Sequence, residues 1–193
     1  MTAPAHMEVS VGLHAVAEAI GDETLTRAYG SGSLGGELEA RVRVLPFLEA
    51  GLSAGYRRLG GETLTDGVTS GEGSWLWYAP LAVTIGPRVS FGAFTAAASL
   101  GPTAIVWAEK PGTDPTAGYE GGKWGVLGQA EARLDPRVFT RVMHDRGPAD
   151  FFLVARAGGR ATLRTVSSCE VEAPCGLNFG ALRLSLGATM VLP

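Results

Sequence analysis

His14 is the one histidine in a strand-like stretch, and it shares the polar side of that stretch with Ser10 and Glu18. A hydroxyl, an imidazole and a carboxylate are the parts of a hydrolytic constellation, in which a base activates a nucleophile and a third group orients the base. The commoner role of such an imidazole is that of a hydrogen-bonded interior group. His6, in the N-terminal segment, and His144, in a connection, add no partner by sequence. No GxSxG turn, phosphate loop or dinucleotide fingerprint occurs, and no CxxC pair or histidine cluster suggests a metal or other cofactor. The reading is a protein that is not an enzyme, with hydrolysis at His14 as the alternative.

The more abundant chemistry is ionic. Glu37, Glu39, Arg41, Arg43, Glu49, Arg57, Glu131, Arg133, Arg156, Arg160, Arg164 and Arg183 fall on the polar sides of alternating segments, so they can pair with one another across strands. Pivoting the chain about Pro46 sets Arg43 opposite Glu49 and brings Glu37 diagonal to Arg57. Of the 16 basic residues only Lys110 and Lys123 are lysine, so the strands use arginine, a choice that base-composition bias would also produce.

The elements that must hold these charges are strands. In LRLSLGATMVLP, Leu182, Leu184, Leu186, Ala188, Met190 and Leu192 alternate with Arg183, Ser185, Gly187 and Thr189, which is the period of an extended chain. The pattern returns over Met7 to Ala19, Leu38 to Val44, Leu48 to Arg57, Trp75 to Ile85, Val89 to Ser99, Trp124 to Leu134 and Phe151 to Val166, giving about eight strands. Pro46 and Gly86-Pro87 read as tight turns. Long polar connections are expected at Gly21 to Gly35, Gly60 to Ser74, Gly101 to Gly122 and Ser167 to Gly176, all at one end of an up-and-down arrangement. Residues 135–150 read as a short helical connection, with Asp135 as cap and Pro136 in its first turn, and residues 1–6 as a tail.

A chain of 193 residues is one domain by default, here residues 1–193. The net charge of −3 leaves no basic footprint for nucleic acid. A mean hydropathy of +0.16 is high for a soluble protein, yet no apolar run approaches the roughly 20 residues of a spanning helix. If the chain meets a membrane, it does so with strands. Alternation leaves open which face is inside: a soluble lipocalin-like ligand-binding barrel would turn its Leu/Val side inward. Three features favour the reverse. Gly and Ser lie between the charges of the polar side, those charges can pair across strands, and Tyr56, Trp75, Trp77 and Trp124 occupy the apolar side at the long-loop ends, where an interfacial girdle belongs.

On these residues the chain resembles the small eight-stranded outer-membrane barrels, of the type of the OmpA membrane domain and OmpX. The resemblance implies an all-β, antiparallel up-and-down transmembrane barrel with long loops at one end and short turns at the other. It also implies a location in the cell outer membrane, a monomer surrounded by outer-membrane lipid, a charge-networked interior without a wide pore, and loops that meet an envelope or extracellular protein. Such a protein acts as a scaffold, with a lipid A-modifying enzyme or a small channel as alternatives within the class. Two departures stand out. The last strand ends in Leu192 and Pro193 where the family places an aromatic, and MTAPAHMEVS lacks the regions of a signal peptide, so a leader removed upstream is expected. Cys169 and Cys175, in the last long connection, are expected to form a disulfide in an oxidising compartment, with free thiols as the alternative.

Overall fold

A computed structural model describes residues 8–65, 68–111, 119–136, 150–163 and 177–192. Eight strands close into one barrel: β1 (Val9–Ile20), β2 (Gly32–Leu45), β3 (Leu48–Thr65), β4 (Val68–Phe91), β5 (Phe94–Pro111), β6 (Tyr119–Leu134), β7 (Asp150–Thr162) and β8 (Ala181–Leu192). A helix of seven residues, α1 (Glu23–Tyr29), joins β1 to β2. Each strand runs antiparallel to the next, and β8 returns to β1 over twelve paired positions, Val9 opposite Leu192 through Ile20 opposite Ala181. Closure leaves no open edge around the ring, which is what a sheet without surrounding water requires.

Alternation sorts the residues of each strand between two unlike surroundings. Outward positions carry Leu13, Leu34, Leu38, Leu52, Val83, Ile85, Leu100, Leu182, Leu184 and Leu186, all exposed. Inward positions around the ring carry Glu37, Glu39, Arg41, Glu49, Arg57, Glu131, Arg133, Arg156 and Arg183, all buried. A lipocalin-like soluble barrel distributes these types the other way round.

Three sequence expectations are corrected. Gly86-Pro87 is not a turn: β4 runs through it to Phe91, and the chain reverses at Gly92-Ala93, where Gly92 takes φ +61°. The strand survives because Ile85 pairs with Leu100 and Arg88 with Ala97 in the same register, so the missing proline N–H removes ladder bonds locally without shifting the pairing. Gly86 also permits the close approach of β5, since a Cβ there would lie 1.8 Å from the carbonyl oxygen of Ala98. Second, the stretches 60–74 and 101–122 are largely not loops. β3 and β4 remain paired as far as Thr65 and Val68, and β5 and β6 as far as Glu109 and Tyr119, so these strands continue beyond the ends of their neighbours. Third, the stretch 21–35 holds α1, whose Asp22 cap accepts the N–H of Leu25 at 2.9 Å, and the start of β2. Residues 1–6, most of the 135–150 connection, and Arg164, Cys169 and Cys175 lie outside the described residues.

The short-turn end carries aromatics that the sequence pattern did not single out. Phe47, Phe91, Phe94 and Phe151 are exposed at that end of β2–β3, β4–β5 and β7. With Tyr56, Trp75 and Trp124 exposed and Trp77 half-buried toward the other end, aromatics bound the apolar wall on both sides.

Candidate functional site

The interior is the most chemically distinctive part of the molecule. Inward positions on β1, β2, β3, β4, β6, β7 and β8 converge into one ladder of ion pairs. At the short-turn rim Glu8 meets Arg43 at 2.8 Å and Arg88 at 3.0 Å. Arg88 passes to Glu49 at 3.3 Å, and Glu49 also receives Arg133 and Arg41. Glu131 is the hub of the middle layer: Arg41 reaches it with both terminal nitrogens, at 3.1 and 2.5 Å, and Arg133 and Arg156 donate to it through their Nε atoms. Glu39 accepts from Arg156 and lies 2.8 Å from the Nε of Arg41.

Further in, Glu37 accepts from Arg183 at 2.5 Å and faces Arg156 at 3.7 Å and Arg57 at 3.8 Å. Glu18 closes the ladder, with Arg160 at 3.0 Å, the Tyr78 hydroxyl at 2.7 Å and Arg57 at 3.4 Å. Arg57 also donates to the carbonyls of Gly36 and Tyr56 at 2.7 and 2.9 Å. The planar five-donor guanidinium suits this work, since it can serve several carboxylates at once in a fixed geometry.

Above Glu18 the chemistry changes. Ile20, Leu25, Ala28, Tyr29, Leu59, Leu76, Tyr78, Ile105, Trp107, Leu177 and Phe179 form an apolar core that fills the mouth. α1 supplies Leu25, Ala28 and Tyr29, and it seats closely because Gly61 has no side chain: a Cβ there would lie 2.1 Å from the Ala28 carbonyl oxygen. Within this core the Tyr29 hydroxyl lies 2.7 Å from Ser74 Oγ and donates to Glu109. Burial first, and then the bond to Glu109, push the Tyr29 hydroxyl well above the ordinary tyrosine range.

Ten of the twelve charges singled out from sequence therefore meet in the buried ladder. Arg43 does not: it stands opposite Glu49 in register but turns to Glu8 at the rim, where 31% of its side chain is exposed. Glu37 and Arg57 are diagonal neighbours, as the pivot about Pro46 places them, although Arg57 leans chiefly on Glu18 and backbone carbonyls. Arg88 escaped sequence reading because the supposed turn at Gly86-Pro87 broke the even-numbered inward series of Thr84, Gly86 and Arg88. The mouth core escaped it because both faces of Trp75 to Tyr78 are apolar, so alternation there is silent.

His14 lies flat against the wall over two glycines, where a Cβ on Gly12 or Gly187 would come within 2.7 or 2.4 Å of its ring nitrogens. The carboxylate that faces it is Glu39, at 3.8 Å, beyond hydrogen-bond reach. Glu18 is taken by arginines and Tyr78, so the alternative grouping of Ser10, His14 and Glu18 is not assembled around the imidazole. At 1% exposure His14 also has no access to a substrate. Among the described residues no cluster of three or more His, Cys, Asp or Glu side chains could hold a metal.

No protein-family model and no curated protein sequence matches the chain. Solved structures do. The chain is similar to a major outer membrane protein from Thermus thermophilus, with TM-score 0.56 and 14% identity over 97% of this chain and 100% of that one. It is similar to Ail, the attachment invasion locus protein of Yersinia pestis, in complex with the heparin analogue sucrose octasulfate, with TM-score 0.54 and 12% identity over 96% and 97% of the two chains. Neisserial surface protein A aligns with TM-score 0.51 and 7% identity over 97% of each chain. The chain has the fold of the small outer-membrane barrels. Identities this low carry the fold alone, and within that outer-membrane barrel fold the ion-pair ladder and the α1-filled mouth are features of this sequence.

Proposed function

We propose that the chain is an integral outer-membrane barrel that serves as a structural and interaction protein, with its loop end as the working end and no wide pore. The observation that carries this reading is the inverted polarity. Leu184 and Leu186 are exposed while Arg183 and Ser185 between and beside them are buried, and the same inversion holds around the ring. An apolar band of this extent facing water would drive association, whereas in a bilayer it is the matched surface.

The interior argues against transport and catalysis alike. Eight strands enclose a space that side chains can fill, and here arginines and glutamates fill it at successive levels beneath an apolar seal. Among the described residues, the inward groups that could serve as nucleophile or base, His14 and Ser10 among them, are buried away from a substrate of ordinary size. That leaves the wall and the loop end as the contact surfaces. Ail, an attachment invasion locus protein solved with the heparin analogue sucrose octasulfate, gives a precedent for a barrel of this fold holding a ligand.

Two measurements test the proposal. Protein refolded into phospholipid vesicles should migrate differently on a gel before and after boiling, and should give no large steady conductance in planar bilayers. Full solubility and monodispersity without detergent would overturn the membrane assignment, and a wide ohmic channel would overturn the closed interior.

A further inference from the structure

We propose that Arg58, Trp75 and Lys110 form a lipid-headgroup site on the outer wall, built to hold the phosphate of an outer-leaflet lipid. The site rests on the membrane reading above. Arg58 is the next outward residue beyond Tyr56 on β3, and Trp75 is the next outward residue beyond Trp77 on β4. On β5, Lys110 stands directly opposite Trp75 in the ladder. The indole leans over β3 because Gly60 leaves room, a Cβ there lying 2.9 Å from the ring. In that position the Arg58 guanidinium stacks on it, 3.9 Å from the ring centroid.

Stacking fixes the guanidinium plane while its N–H donors, which lie in that plane, stay directed away from the ring. The indole thus holds one cation in place, and a second, Lys110, stands in register with Trp75 on the neighbouring strand β5. Arg58 and Lys110 are both exposed, and among the described residues no carboxylate forms an ion pair with either. This contrasts with the buried interior arginines among the described residues, each of which is committed to a carboxylate.

The level of the site selects the ligand. Toward the short turns the outward positions of the same strands are Ala54 and Leu52 on β3, Ala79, Leu81, Val83 and Ile85 on β4, and Val106 and Ala104 on β5. The two cations therefore sit where the apolar wall ends, flanked by Tyr56 and Trp77, whose rings pack 6.5 Å apart. Aromatic side chains occupy the headgroup level of a bilayer. A cation pair facing outward there meets lipid headgroups, and the hydrogen-bonding anion common to such headgroups is phosphate.

The test uses the whole chain in dodecyl maltoside, titrated with a bis-phosphorylated lipid A and followed by native mass spectrometry for the retained lipid adduct. Parallel titrations use the same lipid with both phosphates removed, and inorganic phosphate as competitor. An interfacial cation contributes roughly fivefold to anionic-lipid binding, so Arg58→Gln with Lys110→Gln should weaken retention about 25-fold, and each single variant about fivefold. The dephosphorylated lipid should bind about as weakly to the wild type as the phosphorylated lipid binds to the double variant. Equal retention of both lipids, or an unchanged double variant, overturns the site. Displacement by inorganic phosphate at concentrations matching the lipid would show a free-anion site and overturn the lipid assignment. Heat-modifiable migration, measured on the same samples, keeps the two readings apart: its absence in the wild type defeats the membrane reading, while its presence with unchanged lipid binding defeats the site alone. If only the double variant loses it, the single variants decide.

Discussion

Arg41 and Glu131, ninety residues apart in the chain, face each other across the lumen with two parallel N–H···O contacts of 3.1 and 2.5 Å. One strand of the pair is β2 and the other β6, on opposite sides of the ring, so this contact bridges the barrel bore itself. It also joins two local groups, since Arg41 touches Glu39 and Glu49 while Glu131 touches Arg133 and Arg156.

Removing Arg41 takes one partner at once from three buried carboxylates. Arg41→Ala should cost about 3 to 5 kcal/mol in denaturant unfolding from lipid vesicles, because Glu131, Glu39 and Glu49 all lose a partner. Arg43→Ala, at the half-open rim against Glu8, should cost no more than about 1 kcal/mol. Equal costs for the two variants would mean that the interior is hydrated and the ladder is not a closed plug.

The wall makes its own prediction. Leu186 is exposed on the outward side of β8, near the middle of the strand, so Leu186→Arg should cost about 2 to 4 kcal/mol in a bilayer. Unchanged folding free energy in vesicles would place this face away from hydrocarbon.

The mouth should loosen in alkali. Tyr29 holds its proton above the ordinary tyrosine range in the folded state, so its contribution is complete below about pH 10, the unfolded value, and declines as pH rises past it. Protection factors in α1, with the intrinsic base-catalysed rate divided out, should fall over that alkaline range in the wild type, and this pH-dependent step should vanish in Tyr29→Phe. A step retained in Tyr29→Phe would assign it to another group.

Seating of α1 depends on the bare backbone of Gly61. Gly61→Val would drive a side chain into the Ala28 carbonyl, displacing α1 and exposing Leu25 and Tyr29 to solvent. Protease should then cut near α1 while heat-modifiable migration persists, since the barrel ring does not use α1 to close. Loss of the barrel together with α1 would show that mouth and ring fold as one unit.

Much of the fold is legible in the sequence because alternation is a local property. The period of two in Leu182 to Leu192 assigns a strand and sorts its residues between two faces without reference to any other part of the chain. The same local logic yields eight strands and the separation of Glu37, Glu39, Arg41 and Arg43 from Leu38, Ala40 and Val42. Where both faces are apolar, as in Trp75 to Tyr78, the period carries no information, and the mouth core is invisible to it. Gly86-Pro87 misleads for the opposite reason: a strong local turn signal is overruled by pairing on both sides of it.

What only the tertiary structure decided is which charge meets which. Sequence adjacency across the Pro46 turn points Arg43 at Glu49, yet Arg43 meets Glu8, and Glu49 meets Arg133 from β6 and Arg88 from β4. Long side chains on the inner face of a narrow closed ring reach across the bore as easily as to the neighbouring strand, so their partners are set by the radius and stagger of the ring. The sequence by itself determined the strands and their two faces; closure of β8 onto β1 made the charged face an interior, and the narrowness of that interior chose the pairs.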